Sequence, residues 1–500
     1  MGKHTAKGRW EELAAKRTGL TFRCERYANL TLPYVCPEDG YDEGQEQLSQ
    51  SLNSIGAQAV NNLMNKMVLA MFAPSRPFMR LDLPAEEMAA IMNGLNLTEA
   101  EFREELAIME REMVKHLDGT GARPKLFDLF AHLIITGNCL RLTEDDTIRI
   151  IGVKDFVSRR NIKGEVIEIL MRECVTRDEL PEDLHQFCRS GEDVAVNYFR
   201  WWKWDGKVFK ETQYIDDVRI ELTKYNGQYK RTDMPAQHHV WRLPDKRHYG
   251  IGHVEDFIGD FEGLNDLTEA EVNGAILASE FRWLVNPGGM TRPEDFKTSV
   301  NGEAIPGVSG DIELVNAAAV GPALAVVSAS ADKYIRRIGA GFLLSGAVQR
   351  DAERVTAEEI RMLASELETG LGGIYSRLAI DLQLPIAYWL MKKVGNGMFS
   401  GSDFTPTIVT GLDALSRNGD LEAMQLFLND VVGITTMPPQ VLQYLKLDSI
   451  FSALAAGRGL RSSDFINKQD VVDTRNQDAL MAQQQRETDM YATKTELDKQ

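Results

Sequence analysis

Four histidines within sixteen residues form the densest group of possible metal ligands in the chain. They are His238, His239, His248 and His253. A zinc site needs converging ligands and usually a second residue that orients each histidine, and the spacing here matches no common zinc motif. The neighbouring Trp241, Pro244 and Tyr249 indicate a surface loop that leads into a helix. We therefore expect no metal site and no metal cofactor.

The sequence motifs of nucleotide chemistry and hydrolysis are absent. No Gly-x-x-x-x-Gly-Lys-Ser/Thr sequence provides a phosphate-binding loop, and no His-Glu-x-x-His sequence occurs. Gly339 and Gly341 lack the third glycine of a dinucleotide fingerprint, and Gly307 to Gly310 has the wrong spacing for a nucleophile elbow. Carboxylates are plentiful, but none forms an evident acid/base pair. We expect no catalytic residues and no organic cofactor.

The chain of 500 residues is acidic, with a formal net charge of −18. Proteins that hold DNA tightly usually present a basic surface, so a single copy should repel nucleic acid. On composition alone, the acidity is equally well explained by solubility. The five cysteines are odd in number and irregularly spaced, which predicts reduced thiols in a cytosolic environment.

Neither membrane insertion nor secretion is indicated. The best apolar stretch, Ala317 to Ala331, is shorter than the roughly 18 residues of a membrane helix and contains Gly321 and Pro322. The basic N-terminus is not followed by an apolar stretch, so it is not a secretory signal. We expect no membrane contact.

Helical periodicity dominates the N-terminal part of the chain. Apolar residues spaced three or four apart predict helices from Gln47 to Phe72 and from Lys125 to Thr136. A capping box at Thr98–Glu101 predicts the start of another helix, which ends near Gly119. Its methionine-rich stripe is predicted to be packing core.

From Arg141 to about Val240 the period changes to two, which predicts a sheet. Asn161 to Gly164 is a turn signal, and Asp205-Gly206 predicts a tight hairpin. Trp201, Trp202 and Trp204 stand beside basic residues and could stack on bases. The alternation favours aromatic packing within the sheet instead.

Two helices then flank a short irregular module. Gly259 to Val285 is predicted to be helical and to end at Pro287. Prolines and glycines from residue 290 to 318 predict short strands and turns. A second helix follows, with the apolar stripe Val320, Leu324, Val327, Ala331, Tyr334, Ile338 and Phe342.

A polar loop and a long helix come next. A capping box at Thr356–Glu359 opens the helix, and Pro385 is expected to kink or end it. Its apolar stripe is Ile360, Leu363, Leu367, Leu371, Ile374, Leu378 and Leu382. Residues 394–410 form a predicted linker, and the last thirty residues a polar helix or tail.

The stretch from Gly341 to Pro385 resembles the tunnel loop and following helix of portal proteins, the head-to-tail connectors of T-seven-like podoviruses. Ser54–Leu63, Leu284–Thr291 and Thr410–Leu415 resemble further segments of the same family, in the same order. The similarity extends from about residue 15 to about residue 430, and residues 301–316 depart from the pattern.

The resemblance implies an α+β, mainly helical portal fold with wing, stem, clip and crown, assembled as a ring oligomer. It implies these parts: wing 1–258, with a β-rich part at about 141–240; first stem helix 259–285; clip 286–318; second stem helix 319–342; tunnel loop 343–356; long kinked wing helix 357–394; crown 395–470; polar tail 471–500.

As a function, the resemblance implies a ring of twelve copies at one capsid vertex, which forms the channel for packaging and ejecting double-stranded DNA. A bore lined with negative charge would let DNA slide without being held. The implied partners are the terminase large subunit, the major capsid and scaffolding proteins, the tail adaptor and tail tube, and internal core proteins. The implied location is the virion, with the host cytoplasm during assembly.

The resemblance also implies which residues meet DNA. In the tunnel loop these are Ser345, Gly346, Gln349, Arg350 and Arg354. Lys333, Arg336 and Arg337 on the second stem helix are possible channel-facing residues. The alternative for these cations is salt bridging to Asp332, Asp351 and Glu353.

Two other classes of function remain open on the sequence. One is another capsid or tail-adaptor component with a different symmetry. The other is a packaging ATPase or nuclease, although the missing phosphate-binding motif argues against it.

Overall fold

The computed structural model describes residues 5–74, 77–82, 99–144, 146–189, 191, 194–279, 281–290, 292–300, 303–316, 321–344, 357–394, 407–410, 429 and 481. The chain divides into two compact units, Met1–Gly411 and Leu412–Gln500. All helices and strands named below lie in the first unit. Within these ranges, each helix is too short or too polar to cross a lipid bilayer.

The N-terminal part is helical: α1 (Ala6–Ala15), α2 (Thr18–Asn29), α3 (Ile55–Met71), α4 (Glu99–Gly119) and α5 (Ala122–Thr136). The hydroxyl of Thr5 accepts a hydrogen bond from the Gly8 N–H (3.2 Å) and caps α1. The predicted methionine stripe of α4 is core, since Met109, Met113 and Leu117 are buried.

The prediction that α3 begins at Gln47 is wrong. The helix starts at Ile55, and Leu52, an apolar residue within the predicted range, is exposed. Polar side chains hold the preceding segment in a different conformation, because Asn53 accepts from the Ile55 N–H and Ser51 donates to Asn265. Short polar residues that bond to nearby backbone favour turns over helix.

The region that alternates in polarity forms antiparallel sheets, as predicted. Its strands are β2 (Asn138–Glu144), β3 (Thr147–Ile151), β4 (Phe156–Arg160), β5 (Val166–Val175), β6 (Val196–Trp204), β7 (Phe209–Ile215), β8 (Val218–Arg219), β9 (Gln228–Tyr229) and β10 (Ala236–Val240). One sheet has the order β10-β2-β3, and the other has β4-β5-β6-β7-β8, with β9 on β7. The hairpin at Gly206 (φ 105°) and the buried Trp202 confirm the turn and the packing predictions.

A further pairing joins distant parts of the chain. Strand β1 (Met79–Asp82) pairs antiparallel with β13 (Thr407–Thr410). The predicted 394–410 linker therefore ends in a strand, which a composition rich in Gly, Ser and Thr did not indicate. A partner more than 300 residues away is invisible to a local pattern.

Only part of the histidine group lies in a surface loop: His248 is exposed in the irregular segment that leads into the helix starting at His253. His238 and His239 are buried on β10, and Trp241 is buried beside them. Burial, reinforced by Arg160 and Arg141, holds the pKa of each of these two imidazoles well below its ordinary value. They are neutral core residues. No group of three His, Cys, Asp or Glu side chains in the described part of the chain is arranged to hold a metal ion.

A short helix, α6 (His253–Asp256), follows the sheets. Two long helices then flank a small module: the helices are α7 (Ile258–Ser279) and α9 (Gly321–Gly341), and the module contains β11 (Phe281–Val285), α8 (Pro293–Thr298) and β12 (Ile312–Asn316). The helix predicted to reach Val285 ends at Ser279, because residues 281–285 pair antiparallel with residues 312–316. Residues 281–285 are compatible with a helix in sequence, but they form a strand because residues 312–316 pair with them.

The predicted long helix is broken at Gly372 and Gly373 rather than at Pro385. It consists of α10 (Ala357–Leu371), α11 (Ile374–Leu378), a π-helical turn (Ala379–Gln383) and α12 (Leu384–Val394). Both glycines have positive φ, at 62° and 83°, which ends α10. The π-helical turn accommodates the missing N–H of Pro385, so the chain stays helical there. Leu367, Leu371, Ile374, Leu378 and Leu382 are buried, which confirms the predicted stripe.

Candidate functional site

Helices α7 and α9 form a tightly packed antiparallel pair. A Cβ on Gly274 would lie 2.5 Å from Leu324, and one on Gly263 would lie 3.1 Å from the ring of Tyr334. These glycines allow the helices to approach closely. The predicted inner stripe of α9 is confirmed for Ala331, Ile338 and Phe342, which are buried, and its other described members are half-buried; Val320 lies outside the described residues.

The three predicted cations of α9 lie on its exposed surface. Arg337 pairs with Asp260 of α7 at 3.3 Å, and its guanidinium stacks on Tyr334, 4.5 Å from the ring centroid. This partner was not among the acidic residues predicted for it, because Asp260 is distant in sequence. Lys333 and Arg336 are exposed and form no ion pair with the described residues.

The remaining predicted site residues lie outside the described residues: Ser345, Gly346, Gln349, Arg350 and Arg354. The structure describes the chain up to Leu344 and again from Ala357. It therefore defines the two flanks of the predicted tunnel loop.

The first flank is held by helix α3 and by a buried histidine. The side-chain amide of Asn62 donates to the carbonyls of Phe342 and Leu343, at 3.0 Å each. The Nε2 of His253 bonds to the carbonyl of Gly341 (2.9 Å), so this nitrogen carries the proton. Leu343 has a φ of 53°, a conformation that costs a non-glycine residue on the order of 1 kcal/mol.

An aromatic cluster supports this flank. The ring of Phe342 lies between His253, Phe257 and Phe261, with centroid distances of 4.7 to 5.6 Å. Burial lowers the pKa of His253, which keeps its imidazole neutral. The end of α9 is therefore fixed to the beginning of α7 by packing as well as by hydrogen bonds.

The second flank docks on the same helix α3. Lys66 pairs with Glu366 of α10 at 3.0 Å, and the hydroxyl of Tyr375 donates to the Ala70 carbonyl at 3.2 Å. The two flanks also touch, since a Cβ on Gly370 would lie 3.1 Å from Leu343. One helix thus positions both ends of residues 345–356.

Asn62→Ala is expected to loosen the first flank. Two neutral hydrogen bonds of about 1 kcal/mol each would be lost, so amide exchange at Leu344 should rise by about thirtyfold. The measurement is hydrogen–deuterium exchange with mass spectrometry. Asn65→Ala, one turn along α3, is the control. Equal protection of Leu344 in the wild-type chain and the Asn62→Ala variant would contradict this anchor.

The module between the helices is closed at its base by β11 and β12. Asp311 is buried; its carboxylate accepts from the Met290 N–H at 2.9 Å, and its carbonyl accepts from the Asn286 N–H at 2.8 Å. Residues 286–311 are thereby closed into a loop at the end of the α7–α9 pair. This is the segment predicted to be the clip.

The three buried cysteines offer no reactive site. All five are free, and Cys24, Cys36 and Cys139 are buried. Burial raises the pKa of Cys36 to about 12, and it shifts Cys24 and Cys139 in the same direction. Such thiols are poor nucleophiles and poor metal ligands at neutral pH.

Sequence comparisons give the architecture its class. The chain matches the family described as bacteriophage head to tail connecting protein over residues 3–466. The portal protein of Enterobacteria phage SP6 is 31% identical over 427 residues, covering 84% of this chain and 81% of the relative. The portal protein of Escherichia phage T7 is 29% identical over 439 residues, covering 84% and 80%. The portal protein of Pseudomonas phage phiKMV is 29% identical over 508 residues, covering 97% of each.

The mixed α/β fold with its paired helices, taken together with these relatives, defines the class as connecting proteins of bacteriophage particles. The chain belongs to the bacteriophage head-to-tail connecting protein family, and its relatives are portal proteins of T7-like phages. The family resemblance found in the sequence is confirmed.

Sequence reasoning missed the residues that position the site. Asp260, Asn62 and His253 act across 77, about 280 and 88 positions in sequence, respectively. For Asp260, its position in the first turn of a helix rich in acidic residues could have indicated an ion pair. For Asn62 and His253, the sequence contained no feature that indicated their contacts.

Proposed function

We propose that twelve copies of this chain form a closed ring at one vertex of the capsid, and that double-stranded DNA passes through its bore during packaging and ejection. The observation that carries this proposal is the family match over residues 3–466. The paired helices α7 and α9 supply a rigid repeated wall element. The net charge of −18 per copy supports a bore that repels the polymer more than it holds it.

The proposal also assigns each part of the chain to one part of a portal subunit. Residues 1–258 and 357–394 form the wing, α7 and α9 the stem, the segment closed by β11 and β12 the clip, residues 343–356 the tunnel loop, residues 395–470 the crown, and residues 471–500 the tail. Strand β11 is assigned to the clip, since it pairs with β12 rather than continuing α7.

The proposed partners follow from a connector's position between head and tail. The clip docks the terminase large subunit during packaging and then the tail adaptor and tail tube. The wing and crown contact the major capsid, scaffolding and internal core proteins. The protein works in the virion after assembly in the host cytoplasm, and its role is architectural rather than enzymatic.

Native mass spectrometry tests the ring directly. We expect twelve copies in the purified assembly and an axial opening wide enough for duplex DNA in electron micrographs. A six-fold ring or a shell would favour another capsid or tail-adaptor protein, and a chain that is monomeric at every concentration would contradict the proposal. Sustained DNA-dependent ATP hydrolysis by the purified chain would instead favour a packaging motor.

Replacing both Arg350 and Arg354 by alanine is expected to weaken DNA retention in filled heads. Two exposed phosphate contacts of about 0.7 kcal/mol each correspond to a tenfold faster loss of DNA. The measurement is the fraction of DNA protected from nuclease over time. Arg350→Lys with Arg354→Lys keeps the charge and is the matched control. Unchanged packaging and retention in the alanine variant would remove the support for this loop assignment.

A further inference from the structure

The α7–α9 pair has two outer faces that point in opposite directions. Helical residues advance by about 100° each, so the residues of α7 near Gly263 and Gly274 face α9, while Glu269, Val272 and Ile276 face away. On α9, Leu324 and Ala331 face α7, while Val326, Lys333 and Arg336 turn outward.

Both outer faces expose apolar side chains. Val272 and Ile276 of α7 are 46% and 54% exposed, and Val326 of α9 is 67% exposed. Residues 272 and 276 are one turn apart and form a continuous apolar strip. The exposed aliphatic strip on α7 indicates that this side is covered in an assembly, and Val326 is one exposed aliphatic residue on the opposite side.

The two faces carry opposite charge. Helix α7 contains five carboxylates and no lysine or arginine: Asp260, Glu262, Asp266, Glu269 and Glu271. Helix α9 carries Lys333, Arg336 and Arg337 against the single Asp332. Since Arg337 and Asp260 pair within the chain, Lys333 and Arg336 remain as the cations of the outer face.

A groove extends the acidic face. It lies between α2 and α7, has a volume of about 710 Å³, and is lined by Glu25, Glu38, Asp39, Glu262 and Asp266, together with Arg26. Two cations pair with these carboxylates, Arg26 with Glu262 and Lys154 with both Glu25 and Asp39, so five carboxylates face two cations and the groove remains negative. Clustered carboxylates in a concave surface focus a negative potential that attracts cationic side chains.

The charged residues of the two outer faces also lie at the same level along the axis of the helix pair, and so do the apolar residues. Asp260 pairs with Arg337, and Gly274 abuts Leu324, so each step along α7 corresponds to a step back along α9. Lys333 and Arg336 are therefore level with the α7 residues that border the acidic groove, and Val326 is level with Val272. A closed ring is generated by rotation without translation, so features that meet between copies must lie at equal height along the axis.

The geometry points to a contact between unlike faces of neighbouring copies: α9 of one copy packs on the outer face of α7 of the next, with Lys333 and Arg336 at the acidic groove and Val326 against Val272 and Ile276. This inference rests on the proposed ring and adds which surfaces close it. A contact between two different faces of one chain is the heterologous kind that generates rings. It assigns Lys333 and Arg336 to the subunit interface rather than to the bore.

Two charge-reversed chains test this contact. The first carries Lys333→Glu and Arg336→Glu, and the second carries Glu262→Lys and Asp266→Lys. Each alone places like charges at every interface, so the assembled fraction should fall at least tenfold relative to wild type at equal concentration. Mixed in equal amounts, the two chains present opposite charges at every junction, and rings that alternate the two chains should form.

Native mass spectrometry resolves the outcomes. Loss of rings in each variant and recovery on mixing supports the contact. Rings formed by either variant alone, or no recovery on mixing of variants with wild-type melting temperatures, overturns it while the proposed ring stands. Absence of rings from the wild-type chain overturns the proposed function itself. Arg219→Glu with Lys230→Glu, on the exposed sheet surface, is the matched charge control and should assemble normally.

Discussion

Gly252→Ala is expected to destabilise the protein by about 3 kcal/mol, at the upper end of the cost of overpacking. A Cβ at this position would lie 2.5 Å from the Ile135 carbonyl oxygen and 2.8 Å from that of Ile134. The φ of Gly252 is −78°, which any residue adopts, so the cost is a clash and not backbone strain. Since backbone atoms are hit, the end of α5 and the start of α6 must move apart.

The effect should extend to the α7–α9 helix pair. Gly252 caps α6, and the next residue, His253, bonds to the end of α9. A thermal melt followed by circular dichroism should show a melting temperature lowered by about 3 °C. Gly259→Ala is the control, because nothing lies within 4 Å of its would-be Cβ and alanine favours helix. A melting temperature equal to wild type for Gly252→Ala would contradict the close packing of these segments.

Glu168→Ala is expected to be the most damaging change on the sheet, at about 3 kcal/mol, because it removes a buried carboxylate and leaves its partly buried donors without an acceptor. Arg9 donates to both carboxylate oxygens of Glu168, at 3.0 and 2.6 Å, and the Trp201 indole donates at 3.1 Å. Arg159 adds a bond at 3.2 Å. The interaction ties α1 to the second sheet, where Trp10 packs on Phe199. Limited proteolysis should therefore release the N-terminal segment first.

The same residue makes stability depend on pH. Burial alone would raise the pKa of Glu168, but the hydrogen bonds and charges of Arg9 and Arg159 outweigh it, and the pKa is lowered overall. A lowered folded-state pKa contributes stability above the unfolded value of about 4.3 and loses it as the pH falls further. The difference in melting temperature between wild type and Glu168→Gln should be largest above pH 5 and shrink below pH 4. A difference that is constant with pH would contradict the ion pair.

Local patterns were sufficient for elements whose partners are close in sequence. The Asp205-Gly206 hairpin joins neighbouring strands, and the stripe from Leu367 to Leu382 needs only one helical period. They were insufficient where a distant partner decides the conformation. Residues 281–285 are extended because of residues 312–316, and His238 is buried because β10 pairs with β2.

The candidate site divides in the same way. The order of motifs from Ser54 to Leu415 was enough to identify the family, since an order of several segments is far more specific than each alone. Individual roles were not accessible. The pairing of Arg337 with Asp260 depends on the packing of two helices. The hydrogen bond from Asn62 to the Leu343 carbonyl depends on the positive φ of Leu343, which a leucine in the sequence does not predict.

Asn62 and Lys66 stand four residues apart on one helix, about 6 Å along its axis. Asn62 bonds to the residues that end α9, and Lys66 pairs with α10, so the distance between these two contacts is set by the single helix α3. A force that acts on Leu343 or on Glu366 is therefore transmitted to α3 and to the core against which α3 packs. The separation of Leu343 and Glu366, which lie on either side of residues 345–356 in the sequence, is therefore fixed within a single chain.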